Sequence, residues 1–438
     1  LSLTLSTQAF ATSYFASPDG TGDGCSFDEP SSLTNLFETE NSVCEEGETG
    51  TRALAGGDQI NLLDGDYGYF DDISGFGSGL TGRVTIKPVD ADAVAKFDFI
   101  DIDNSSNLKF SGIKVQPDDY TDKSNCDINW KGKALFCIRG GSSNILIEDS
   151  VIDSGFDLEG QAELGLENLV DFYAENLIGI ALWDASNIQI QGNKFTNQKF
   201  SIQTNPASDV TITNNHFTSI WYGLHGHAIE NATISNNYMK GFIKSARLDE
   251  NDNLITSGGV GILASYGVTN HYNPRDITVS DNTILPYDMS EIDTAVTDYM
   301  GIARGIYAGN GALTGWKVER NLVGSTEWHS VTLYNSVTVS ARYNLEVDVN
   351  GPEDKLSSGL QVVEPDTSNS RYAEFAGKID HTVECNIATH IGSSDPDDDT
   401  NNTVIRFAPN GDWTTTANAY WPEGCDVELG YSIVNGAF

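Results

Sequence analysis

The 438-residue sequence is poor in positive charge: 24 Lys and Arg stand against 63 Asp and Glu, a formal net charge of -39. A surface that negative repels phosphate, which excludes a general nucleic-acid binder. Proline (12) and methionine (3) are scarce. No later stretch approaches the ~18 uninterrupted apolar residues that mark a membrane span. No CxxC pair or Cys/His spacing marks a zinc site, and no segment follows the EF-hand loop pattern. Charge does not dominate, however: 39% of residues are hydrophobic and only 20% charged. That is a globular balance, too apolar for an acidic disordered chain. What is abundant is glycine, with 43 residues, alongside many Asn, Ser and Thr, a composition that leans toward an all-β protein rich in turns. The excess of carboxylates suits a protein kept soluble in salty water outside the cell.

The first residues, LSLTLSTQAFA, read as the tail of a secretory leader. A short apolar stretch precedes Ala9-Phe10-Ala11, the small-x-small pattern of a cleavage site, so residues 1–11 are expected to be removed and the mature chain to begin at Thr12. The leader's charged start would then lie upstream of Leu1. The competing reading is a short buried strand. Six cysteines fit an oxidising compartment. Proximity in sequence favours Cys25 with Cys44, Cys126 with Cys137 and Cys385 with Cys425, other pairings remaining open.

One element recurs along the chain: NLKFSGIKV from Asn107, NILIEDSVI from Asn144, NIQIQGNKF from Asn187, DVTITNNHF from Asp209, NATISNNYM from Asn231 and DITVSDNTI from Asp276. Weaker copies begin at Gly315 and Ser336. Ile188, Val210 and Ala232 are 22 residues apart, a period of one solenoid turn. Within each unit, apolar residues such as Ile188 and Ile190 alternate with polar ones, the rhythm of a strand with one buried face. Asn193, Asn215, Asn237, Asn282, Asn321 and Asn344 end successive strands. There Asn tolerates the left-handed backbone and its amide can bond to neighbouring coils, so a stacked asparagine ladder is expected.

This pattern resembles the right-handed parallel β-helix of the pectate-lyase-like superfamily over roughly residues 55–390. The resemblance implies an all-β solenoid, a single-stranded right-handed parallel β-helix with an N-terminal capping helix and a C-terminal cap. The segment YFASPDGTGDGCSFDEPSSLTNLF, followed by LAGGDQINLLDGDYG and VTIKP, looks like the opening of secreted proteins of that group. Residues 12–54 are therefore expected to cap the first coil, with Ser31 and Ser32 as helix N-caps, and residues 391–438 to cap the last. Caps are required because an open solenoid end exposes core and unpaired strand edges. Insertions at about 154–176, 245–258 and 286–303 read as loops on the solenoid wall.

A second stack precedes each unit: IGIALW from Ile178, FSIQTN from Phe200, YGLHGH from Tyr222, VGILAS from Val260, RGIYAG from Arg304 and HSVTLY from His329. With Ile180, Ile202, Leu224, Ile262, Ile306 and Val331 inward, an outer row reads Ala181, Gln203, His225, Leu263, Tyr307 and Thr332. Two residues on, a parallel row reads Trp183, Asn205, His227, Ser265, Gly309 and Tyr334. Polar and aromatic side chains thus converge on one wall, the expected substrate groove. Between Ala185 and Leu248 only Asp209 and Glu230 are acidic, against Lys194, Lys199, Lys240, Lys244 and Arg247. With His216, Trp221 and Tyr222 in that window, the stretch suits an extended anionic ligand whose sugar faces meet aromatic rings. The bland alternative is that these cations punctuate solvent-facing turns.

Three chemistries compete for this wall. A glycosidase needs two carboxylates across one cleft, and the aligned rows contain none, although Asp184, Asp249, Glu250 and Asp298 in loops could supply them. β-Elimination from a uronic acid needs a cation against the carboxylate, a base for the C5 proton and an acid for the leaving oxygen. Uronate epimerisation uses a similar set. The residues present point to a lyase: His225 or His227 as base, Tyr307 as proton donor and Lys244, Arg247 or Arg304 as neutralising cation. Gln203 and Asn205 would hold hydroxyls, and Trp183, Trp221, Tyr222 and Tyr334 would bind the sugar. The alternatives are a glycoside hydrolase acting on a sulfated or other polysaccharide, and a non-catalytic carbohydrate-binding or adhesive β-helix. The two imidazoles of HGH also have metal-binding spacing, with no third ligand visible. The carboxylate-rich stretches at 248–253 and 395–402 could hold Ca²⁺, against the plainer reading of solvated acidic loops. The expected partner is an extended anionic polysaccharide and the expected state a secreted, extracellular or periplasmic monomer, with no nucleic acid or membrane.

The resemblance does not extend to known active sites. The Lys-and-Arg arrangement beside calcium-binding carboxylates, as in proteins similar to alginate lyase and chondroitinase B, is only faintly matched by IKS at Ile243–Ser245. The adjacent Asp pair of polygalacturonases has no counterpart.

Overall fold

A computed structural model describes residues 11–38, 54–118, 133–157, 177–248, 254–265, 273–285, 301–309, 311–324, 326–347, 358–389, 403–408 and 417–418. The alternating units form the strands that the two-residue rhythm predicts. Ser106–Ser111, Ser143–Glu148, Ala185–Gln191, Ala207–Thr213, Ile229–Ser235, Arg275–Ser280, Trp316–Glu319 and Thr338–Arg342 lie side by side in one parallel wall. Register is continuous from coil to coil: Ile145, Ile188, Val210, Ala232 and Ile277 are successive partners, all buried. Each coil then supplies two further stretches to a second, 21-stranded sheet, and the chain is a right-handed parallel β-helix.

The core fills the tube between these walls. Phe195 stacks on Phe217 at 4.8 Å with the rings 8° from parallel, so identical side chains one period apart pile up along the axis. The asparagine ladder forms and runs one step further than expected, to Asn386. Each member from Asn193 to Asn344 donates its amide N–H to the Oδ1 of the next coil's Asn at 2.8–3.0 Å. Each also bonds to a main-chain carbonyl of the preceding coil. These side chains are at most 3% exposed, so an unmet amide there would carry its full desolvation cost. The left-handed residue, however, is the one before each ladder Asn: Gly192, Asn214, Asn236, Asp281, Arg320, Tyr343 and Cys385 have positive φ. The ladder Asn spends its amide on the neighbouring coils, and the residue before it takes the left-handed turn.

The capping helix is Leu33–Phe37, with Ser32 as N-cap accepting from the Asn35 N–H at 3.2 Å. It buries Leu33, Leu36 and Phe37, the last against Phe70 and Phe76. Ser31 instead ends strand Glu29–Ser31. The insertion after Lys244 includes an antiparallel hairpin, Ser245–Leu248 with Leu254–Ser257. Past residue 390, strand Thr403–Ala408 still pairs in parallel with Ser358–Val363. None of the described cysteines, Cys25, Cys137 and Cys385, is a free thiol. Cys44, Cys126, Cys425 and the leader residues 1–10 lie outside the described residues.

Candidate functional site

Strands Leu177–Trp183, Lys194–Thr204, His216–His227, Gly259–Ser265, Ile302–Gly309 and Thr326–Tyr334 carry the wall on which the candidate residues stand. The first outer row is as the sequence implies, Ala181, Gln203, His225, Leu263, Tyr307 and Thr332 being successive partners. A third row was not anticipated: Ile178, Phe200, Tyr222, Val260, Arg304 and His329. Simple alternation would turn it inward with Ile202. Instead Ile178 packs in an apolar cluster outside the main core, with Ala134, Cys137 and Ala181, and Phe200 leans on it. The strands bend at small residues between these positions. A Cβ on Gly223 would lie 2.6 Å from both the Gly261 carbonyl oxygen and the Met239 sulfur, so the chain presses inward there and residues three apart face the same side.

This bend assembles one cluster across three successive coils. The His225 ring stacks on Phe200 at 4.4 Å and 25°. Tyr222 meets it edge-on at 5.5 Å, and the His227 ring lies 4.3 Å away at 74°. The Gln203 amide nitrogen is 3.2 Å from His225 Nδ1, and the Ser265 hydroxyl is 2.6 Å from His227 Nδ1. Lys199, only 6% exposed, holds its ammonium 5.1 Å from the Phe200 ring and 5.4 Å from Trp221. Burial pulls the Lys199 amine down to about 8. Burial first, then His227 and Lys199, hold His225 well below its ordinary value, so its imidazole is neutral at physiological pH. Lys199 and Phe200 carry no sequence motif. Their signal was the one-period offset, 22 residues, from Lys199 to Trp221 and from Phe200 to Tyr222.

The other candidates form a second group. Arg304 lies 4.3 Å over the Tyr307 ring, and Tyr307 meets Tyr334 edge-on at 5.9 Å. The coil of Leu263 separates Tyr307 from His225, so their backbones stand ~9.6 Å apart at ~4.8 Å per coil. Asn205, 2% exposed, and partly exposed Trp183 flank the first group. Lys244 is not beside His225; its ammonium pairs with Glu327 at 2.7 Å. The side chain of Arg247 lies outside the described residues.

The rows continue toward the N-terminus and there do contain carboxylates. Asp101 and Cys137 precede Ala181 in its row, and Asp103 and Arg139 precede Trp183. Arg139 binds both Asp101 oxygens and reaches Asp103 at 3.2 Å. Burial pushes the Asp101 carboxyl up despite this pairing. The absence expected from an alignment starting at Ile178 is therefore corrected two coils upstream.

Among the described residues the one group of three potential metal ligands is Asp66, Asp98 and Asp118. Lys96 already places its ammonium against all three. No third ligand joins His225 and His227 among these residues. The calcium candidates at 249–253 and 395–402 lie outside them.

Residues 90–284 match the family model of the right-handed β-helix region. No relative of curated function matches the chain in sequence. Among solved structures, a GH136 lacto-N-biosidase from Eubacterium ramulus is similar at TM-score 0.50 and 11% identity, over 92% of this chain and 66% of that one. The chain thus spans just under two thirds of that protein. A surface adhesin of Streptococcus pneumoniae (TM-score 0.43, 13% identity, 82% of this chain and 79% of that) and a rhamnogalacturonan lyase (0.39, 12%, 94% and 90%) are also similar. At these identities the likeness concerns the fold.

Proposed function

The chain being a right-handed parallel β-helix, the fold of the pectate-lyase-like superfamily, we propose that it is a secreted enzyme that cleaves an acidic polysaccharide by β-elimination. The observation that carries this is a neutral imidazole, His225, set beside a buried ammonium, Lys199, on an outer wall lined with aromatic rings. Lys199 faces the uronate carboxylate and withdraws charge from it, which acidifies the C5 proton. Lys199 takes the role for which Lys244, Arg247 and Arg304 are the sequence candidates; of these, Lys244 is engaged with Glu327. With the Gln203 carboxamide turned so that its oxygen accepts from Nδ1–H, His225 Nε2 keeps its lone pair and removes that proton. The C5 electron pair forms the C4–C5 double bond as the C4–oxygen bond breaks. The leaving oxygen takes a proton from a tyrosine, and Tyr222, one ring away from His225, is better placed than Tyr307. Tyr222, half-buried, offers a ring to a neighbouring sugar, with Arg304, Tyr307 and Tyr334 two coils along. Trp221, expected from the sequence to bind sugar, is instead buried against Phe200, Tyr222 and Lys199.

A hydrolytic reading is favoured by one observation, the Asp101 and Asp103 carboxylates on the same wall, although Arg139 occupies both. One experiment separates the readings. Incubation with polygalacturonate, alginate, chondroitin and ulvan should raise the ultraviolet absorbance of an unsaturated uronate on one of them. That rate should fall by about 10²-fold or more in His225→Ala, the usual contribution of a general base. New reducing ends without the absorbance, lost in Asp101→Asn, would establish hydrolysis instead. Binding with neither product would make the protein a carbohydrate-binding module.

A further inference from the structure

The strands that carry the candidate site turn a corner at Asn197, Ser219 and Gly241, three stacked positions with φ of 62°, 53° and 69°. Before the corner they form a different outer face. There Lys194, His216 and Tyr238 are successive register partners. Lys194 and His216 are exposed, and the Tyr238 ring meets His216 edge-on at 5.0 Å. Lys240 extends the face, since it and Lys194 both act electrostatically on His216. Two coils before Lys194 the same row holds Lys114, across the exposed Val151. Further upstream it passes to Lys96 and Asp66, where Asp66, Asp98 and Asp118 gather on Lys96 and end the basic stretch. Among the described residues the nearest carboxylate in this ladder, Asp153, accepts from the Asn197 amide. In a chain of net charge -39, Lys114, Lys194 and Lys240 thus form a ridge of cations along the solenoid axis.

We propose that this ridge is an auxiliary binding surface for an acidic polysaccharide, distinct from the candidate active wall and leading onto it around the corner. The inference rests on the reading that the ligand is an acidic polysaccharide. Coils repeat every ~4.8 Å, close to the length of one sugar ring, so a polymer lying along the axis brings an anionic group to successive coils. Lys194 and Lys240 meet those groups as point charges that tolerate carboxylate or sulfate alike. Tyr238 and Val151 supply the apolar surface on which ring faces rest. The same strands then carry the chain past the corner to Lys199 and Trp221. A single polymer can engage both faces, and linking two weak sites in this way raises overall affinity without new contacts at either.

The test is affinity electrophoresis of the full chain in gels containing polygalacturonate, a sulfated polysaccharide or a neutral glucan. It is run with His225→Ala protein so that cleavage does not consume the matrix. Retardation by one or both acidic gels, weakened at least about fivefold in Lys194→Gln/Lys240→Gln and reduced by added salt, is the expected result. The neutral gel should not distinguish the proteins. In the otherwise wild-type background, the double variant should cleave a short uronate oligosaccharide at an unchanged rate and polymer with a higher KM. Equal retardation of the double variant and its parent would overturn the ridge, whatever product is formed. Loss of retardation without any unsaturated product from the wild type would keep the ridge and remove the lyase reading.

Discussion

Lys199 and His225 set opposite limits on the pH range of the proposed chemistry. His225 must be unprotonated to accept the C5 proton, a condition met above its depressed pKa. Lys199 must be protonated to face the carboxylate, a condition lost as pH rises through about 8. The rate should therefore hold from mildly acidic pH and fall on the alkaline side near 8. In Lys199→Arg the guanidinium stays charged at any accessible pH. The maximal rate drops through altered geometry, but the alkaline fall should vanish from the kcat/KM profile. An unchanged alkaline limb in that variant would show that another group titrates there. Neither residue's burial could be seen from the sequence alone. Lys199 reads as a turn lysine until Trp221, one coil later, covers it, and a histidine of HGH reads as solvent-exposed until Phe200 lies beneath it.

At the scale of the element, the repeating unit was legible because its determinants are local. Alternating Ile and Val define the inward face, and an Asn at a fixed offset marks each strand end. The outer wall was only half legible. Its first row follows from alternation, but the Phe200, Tyr222 and Arg304 row depends on a bend at Gly223 and its equivalents, where crowding from the adjoining coil, not local propensity, decides which side faces out. The two asparagine series also differ in what they do. Asn237 accepts from the Asn215 main-chain and side-chain N–H groups and donates to the Ile212 carbonyl and to Asn282. Asn187 is exposed, with a left-handed φ of 53° and a long 3.4 Å contact to Asn144. Asn237→Ala leaves several buried groups without partners and should lower unfolding stability by about 3 kcal/mol or more. Asn187→Gly keeps the left-handed backbone accessible and should cost less than about 1 kcal/mol. Urea unfolding of both variants checks the contrast, and equal losses would mean that the buried ladder adds nothing beyond its backbone turn.

For the whole molecule, two sources of instability grow together as pH rises. The first is self-repulsion among carboxylates in a chain of net charge -39. This is screened by salt, because at ~0.15 M charges farther apart than about 8 Å scarcely interact. The second is Glu346, which stands in the core row between Val323 and Ala388 with both carboxyl oxygens buried and unpartnered. Burial pushes its carboxyl up to about 8. Between pH 4.5 and 8 the folded chain keeps this proton while the unfolded chain releases it, so stability falls with rising pH on the order of 1 kcal/mol per unit. Salt does not reach that penalty, since it arises from dehydration of a single buried group. Unfolding midpoints at pH 5.5 and 8.5, at low and high salt, should therefore separate the two. High salt raises both midpoints while leaving a gap between them. Glu346→Gln, isosteric and never charged, closes most of the gap without changing the salt response. A gap as wide in Glu346→Gln as in the wild type would assign the alkaline loss entirely to surface repulsion. The acidic exterior would then limit stability, and the core would tolerate its carboxyl at every pH.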